Sequence, residues 1–154
     1  MKKIYVLLFA SFFFMGMGCE KELSSEEQFE KDIAEIENYI SERNLDAVKT
    51  ASGLHYVVNT LGTGNHPESN DNVTVRYKGY LLNGSAFDQS DDEGITFNLQ
   101  QVIKGWTEGI QKFKEGGSGI LLIPSKLGYG DKKQGTIPAN SVLVFDVDLL
   151  MIQP

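Results

Sequence analysis

The sequence predicts an α+β domain, in which antiparallel strands carry one short helix across a sheet face and a separate amphipathic helix comes first. Three observations support this. From Ser52 onward, apolar residues alternate at period two in short runs separated by turn-forming Gly, Asn and Ser. Within that half only Leu99–Phe113 changes to a helical period, with Val102, Trp106, Ile110 and Phe113 spaced four, four and three. Upstream, Phe29, Ile33, Ile36 and Ile40 form a second helical stripe, with Tyr39 beside it and mostly Glu, Lys and Asp opposite.

Composition narrows the function classes. A chain of 154 residues suits one domain with appendages, and 41% apolar residues with nine Phe and six Tyr suffice for a packed core. A net charge of −7 argues against nucleic acid, which rewards basic patches. His55 and His66 are scattered and Cys19 is the only cysteine, so no metal centre or intrachain disulfide is expected.

Residues 1–18 read as a targeting segment. Lys2 and Lys3 precede the apolar run Ile4–Met15, which is shorter than the ~20 residues a membrane span needs. The run ends in "GMGC", which resembles a bacterial lipoprotein signal cleaved before a cysteine that then carries lipid, although Gly16 stands where that motif usually has Leu. Cleavage before Cys19 would leave 154 − 18 = 136 residues.

Residues 19–51 are expected to be a polar tether and the amphipathic helix, with Ser25 and Gln28 as a capping box. The helical stripe suits homodimerisation through residues 25–48, or docking on its own domain, or a spacer. Pairing is slightly favoured, although the stripe is too short for a sustained coiled coil.

Residues 52–154 form the main domain. "GLHYVVNTLG" and "VTVRYKGYLL" are strands, and Asn83-Gly84 marks a turn. "ITF", "ILLIPS" and "SVLVFDVDLLMI" follow, with Leu143, Phe145, Val147 and Leu149 on one face of the last. "DQSDDEG", Asp88–Gly94, reads as a solvated acidic turn rather than a calcium loop. Trp106, the only tryptophan, follows Gly105; taken alone it is either core or the floor of a cavity.

Four segments in order, "VTVRYKGYLLNGSAFDQS", "VIKGWTEGI", "LLIPSKLGYG" and "IPANSVLVFDVDLL", resemble FKBP-type peptidyl-prolyl cis–trans isomerases over Gly53–Ile152. With its leader, the chain is similar to the lipoprotein members of Gram-negative envelopes. The resemblance implies a five- or six-stranded, strongly twisted antiparallel sheet wrapped around one short helix. It also implies cofactor-independent isomerisation of X–Pro bonds in envelope polypeptides, a lipid anchor on the periplasmic or surface face, and inhibition by a macrolide.

By the same resemblance, Trp106 is the pocket floor and Tyr77, Phe87, Phe97 and Phe145 are its aromatic walls. Val102 and Ile103 form the rim, with the Ile103 N–H available to a substrate carbonyl. Tyr129 donates its hydroxyl to substrate and Ile137 a backbone N–H. Asp88 lies at the edge, either favouring the twisted amide electrostatically or serving as a structural partner of Tyr77 or a basic side chain. Tyr77, Asp88, Trp106 and Tyr129 are thus the expected catalytic set, and Phe87, Phe97, Val102, Ile103, Ile137 and Phe145 the expected substrate-binding set. Lys132 and Lys133, in a Gly130–Thr136 loop that looks short for the family, fall where a more apolar rim is expected. The alternative function is a weakly catalytic or non-catalytic chaperone or interaction lipoprotein on the same fold.

Overall fold

The computed structural model describes residues 23–153; the expected signal segment 1–18 and Cys19 lie outside them. Helix α1, Ser25–Arg43, opens on a capping box one residue earlier than expected. Ser24 Oγ accepts from Glu27 N at 3.2 Å, and Ser24 N donates to Glu27 Oε2 at 2.8 Å. Both registers fit the pattern, but a carboxylate is a stronger acceptor than an amide and complements the helix N-terminus. Asn44, at φ 51°, ends the helix in the left-handed region.

The apolar stripe of α1 packs within the chain, which is the docking that stood beside pairing and a spacer among the expectations for it. Ile36 has no exposed surface and packs with Tyr39, Leu122, Val142 and Val144. Phe29 and Ile33 lie over Gly53, where even a Cβ would stand 2.5 Å from the Phe29 ring.

Seven strands follow: β1 Val48–Lys49, β2 His55–Thr60, β3 Asn72–Leu81, β4 Ala86–Gln89, β5 Ile95–Asn98, β6 Ser118–Ile123 and β7 Leu143–Gln153. Their order is β1-β2-β6-β7-β3-β4, and every pairing is antiparallel. β5 also pairs with β3, over Asn72–Val75, while β4 takes Lys78–Tyr80. Since β7 occupies the other side of β3, β4 and β5 share one flank and the sheet is six positions wide. β1 belongs to this sheet although it precedes residue 52, the expected start of the domain.

Alternation along β7 sorts its side chains between two cores. Leu143, Phe145, Val147 and Leu149 point to the face that packs Trp106 and Ile110, while Val144 joins Leu122 beneath α1. Each face of the sheet is therefore covered by a helix, rather than one face alone.

Helix α2 is shorter than the periodicity suggested, Lys104–Ile110. Leu99–Gln101 form a separate 3₁₀ turn, where the Asn98 side chain accepts from Gln100 N at 2.9 Å. Val102 between them is extended, at φ −112° and ψ 175°, a conformation that β-branched residues favour. The break allows Val102 and Ile103 to face the site, and Thr107 Oγ1 donates back to Leu99 O at 2.6 Å to hold the two pieces together.

Candidate functional site

The site lies between α2 and the sheet face that it covers. Trp106 is 5% exposed, and α2 can press it inward because Gly105 and Gly109 put no side chain against β6. A Cβ at Gly105 would stand 2.5 Å from Ile123 Cγ2, and one at Gly109 2.7 Å from Leu121 Cδ2. Around the indole, the Tyr77 ring stands edge-on at 5.0 Å, Phe145 at 5.1 Å and 87°, and Phe97 tilted at 5.2 Å. Phe87 extends the wall from Phe145 at 5.5 Å and 82°. These are the offset and T-shaped geometries that aromatic quadrupoles favour.

The rings line a cleft of about 430 Å³, within the ~300–1,000 Å³ range of small-ligand sites. Every site residue expected from the sequence lines it: Tyr77, Phe87, Asp88, Phe97, Val102, Ile103, Trp106, Tyr129, Ile137 and Phe145. The sequence reading missed Ile95, Gln101 and the turn Gln134-Gly135-Thr136. Lys132 and Lys133 are not among the lining residues, so this rim is an uncharged turn rather than a basic one.

Two polar groups at the cleft are specifically arranged. Tyr77 donates its hydroxyl to Asp88 Oδ2 at 2.7 Å, and Asp88 Oδ1 accepts from Gln89 N at 2.9 Å. Asp88 is thus a structural partner of Tyr77, one of the two roles expected for it. Burial, reinforced by the bond to Asp88, pushes the Tyr77 hydroxyl well above its ordinary value. Burial and then the Asp88 charge also raise Tyr129, which is 37% exposed at the mouth. Both phenols therefore remain protonated donors at neutral pH. The indole Nε1–H of Trp106 is buried without an acceptor among the described residues, which in an ordinary core carries a desolvation cost.

The Ile137 amide is engaged within its own turn. The Ile137 N–H donates to Gln134 O at 2.9 Å, and Gln134 N returns a bond to Ile137 O at 3.0 Å. Ile137 gives the cleft its side chain, 5% exposed, while its amide is already engaged in closing the short turn. Among the described residues no group of three or more His, Cys, Asp or Glu could hold a metal ion.

Comparison with known proteins locates this arrangement. Residues 63–150 match the family model for FKBP-type peptidyl-prolyl cis-trans isomerase. The FKBP-type peptidyl-prolyl cis-trans isomerase FkpA of Aeromonas hydrophila is 52% identical over 106 residues, covering 68% of this chain and 40% of that one. The FkpA of Escherichia coli K12 is 42% identical over 142 residues, covering 85% and 52%. The chain thus spans about half the length of these curated relatives. The crystal structure of FkpA from Escherichia coli superposes with a TM-score of 0.73 at 39% identity, over 84% of this chain and 63% of that one. The crystal structure of a peptidyl-prolyl cis-trans isomerase from Pseudomonas syringae superposes at 0.75 with 30% identity, over 86% of this chain and 98% of that one.

Proposed function

The chain belongs to the FKBP-type peptidyl-prolyl cis–trans isomerase family, and we propose that it speeds X–Pro isomerisation in polypeptides of the Gram-negative envelope. The observation that carries this reading is the open cleft floored by Trp106 and walled by Tyr77, Phe87, Phe97 and Phe145.

An X–Pro amide crosses a barrier near ~18–20 kcal/mol because twisting its C–N bond destroys resonance. The planar amide is the more charge-separated form, so water favours it over the twisted state. In this reading the prolyl ring rests on Trp106, and the aromatic walls strip that water away. Contacts that hold the twisted amide more tightly than the planar one then lower the barrier. Each ~1.4 kcal/mol of such preference gives about tenfold in rate. Tyr129 supplies a neutral O–H to a substrate carbonyl. Ile103 supplies a main-chain N–H at the start of α2, where the first amides have no acceptor within a helix. Asp88 fixes Tyr77 and contributes negative charge at the pocket edge. Bond rotation in this scheme uses no nucleophile and transfers no proton.

Residues 1–18 are, in the same reading, a signal peptide, and Cys19 carries the lipid that anchors residues 19–51 and the isomerase domain 52–154. No helix of the described residues is long and apolar enough to cross a membrane. The test is refolding of a proline-limited substrate with catalytic amounts of this chain. The slow phase should accelerate, and an FKBP-directed macrolide should abolish the acceleration. A folded chain that leaves the slow phase unchanged would leave only binding as its role.

A further inference from the structure

The Tyr129 loop is held from the far side of the sheet by the amino-terminal helix. Tyr129 follows the 3₁₀ turn Ser125–Leu127, whose preceding residue, Pro124, supplies no side-chain cap. The missing acceptor comes from α1. Asp32 Oδ2 accepts from Ser125 N at 2.7 Å, while Oδ1 accepts from Gln28 Nε2 at 2.6 Å. Asp32 has no exposed surface and Ser125 is 3% exposed. A fully buried carboxylate is costly unless its oxygens are paired, and these two are.

The turn passes this constraint on. Ser125 O accepts from Gly128 N at 2.9 Å and from Gly130 N at 2.8 Å, so one carbonyl fixes both neighbours of Tyr129. Gly130 O in turn accepts from Asn140 N at 2.7 Å. A second contact reinforces the clasp: Lys126 Nζ lies 3.1 Å from the centroid of the Phe29 ring, again on α1.

We propose that Asp32 is a positioning residue for the isomerase site, setting Tyr129 through Ser125 and the two glycine amides. It touches no substrate. This inference rests on the proposed isomerase activity for its kinetic readout but not for its structural one. Removing the carboxylate leaves Ser125 N–H buried without an acceptor, so the turn must shift or open. The Tyr129 hydroxyl then loses its fixed place at the mouth of the cleft.

The test uses the full chain in wild-type form and as Asp32→Ala, Asp32→Asn, Tyr129→Phe and the double variant Asp32→Ala with Tyr129→Phe. Ile36→Val serves as a control that trims the packing of α1 without touching Ser125. Asp32→Ala should lower kcat/KM about three- to tenfold, as loss of one positioned hydrogen bond does. Tyr129→Phe should lower it by a similar factor, and the double variant no further. Asp32→Asn keeps an oxygen acceptor and should retain most of the activity, while Ile36→Val should match wild type. If Asp32→Ala does not fold, Asp32→Asn carries the test, with a smaller loss that again vanishes in the Tyr129→Phe background. A folded Asp32→Ala variant with wild-type kcat/KM, or a loss in either Asp32 variant that multiplies with that of Tyr129→Phe, would overturn the assignment. Hydrogen exchange at the Gly128 and Gly130 amides judges the relay separately: it should quicken in the Asp32 variant and not in Ile36→Val. Unchanged exchange overturns the relay even in an active enzyme, whereas quickened exchange in a chain without activity means that the isomerase reading has failed.

Discussion

Phe87 and Phe145 touch each other in the same wall yet differ in what they support. Phe145 is 4% exposed near the start of β7, so its truncation would cost ~3–5 kcal/mol as a core Phe→Ala does and would confuse loss of activity with loss of fold. Phe87 is half-buried on the four-residue strand β4. Phe87→Ala should therefore lower the isomerisation rate severalfold or more while thermal melting shows a folded domain. His55 gives a second test at this scale. It is buried beneath α1, and burial lowers its pKa from the ordinary 6.5 against the opposing pull of the Gly53 carbonyl. The unfolded chain then takes up the proton first as pH falls, so this contribution is complete above about 6.5 and declines below it. Urea midpoints at pH 7.5 and 5.5 should differ less for His55→Gln than for wild type. Individual site residues were legible through the four segments that resemble the FKBP-type family, since residue type alone left Trp106 as either core or cavity floor. Gln134, Gly135 and Thr136 were not: their place at the rim comes from a backbone turn. The engaged Ile137 amide was hidden for the same reason, since hydrogen-bond partners across a turn leave little mark on composition.

Helix α2 matters through its distance from β6, which its glycines set. In Gly105→Ala the new methyl must displace the Ile123 side chain or lift the helix, and Trp106 sits on the adjacent residue. Overpacking of this kind costs ~1–3 kcal/mol, and here it also tilts the floor of the cleft. Catalysis should fall further than the melting temperature alone accounts for, whereas the folded fraction at 25 °C should stay near that of wild type. The two helices and strands β2, β3, β5, β6 and β7 could be read in order from periodicity, because a strand with one buried face alternates and a helix does not. β1 and β4 are exposed on most of their few residues and carry no such pattern. The break at Val102 could not, because helical spacing continues across it from Val102 to Trp106. The offset cap of α1 was ambiguous for a related reason: Ser24 and Ser25 both begin a capping pattern, and only the bonds distinguish them.

Across the whole molecule, α1 and α2 cover opposite faces of one sheet, so the segment nearest the expected anchor is part of the folded body. An amphipathic stripe reports that a helix buries one face without saying against what, and the far side of β6 and β7 is assembled from residues about a hundred positions away. Docking was therefore one open reading in the sequence, and its partners on the sheet emerged only in the structure. If Cys19 carries lipid, the wild type should fractionate with membrane and Cys19→Ser should be soluble or unprocessed; equal membrane association and no change in mature mass would remove that claim. The central claim is that the aromatic cleft catalyses rotation about a prolyl bond rather than only binding it. Magnetisation-transfer NMR on a short Ala-Pro peptide, with protein far below peptide concentration, measures that rotation directly. The account predicts faster cis–trans exchange at an unchanged cis:trans ratio, with most of the gain lost in Phe87→Ala. Peptide resonances that shift on binding while the exchange rate stays at its uncatalysed value would contradict it.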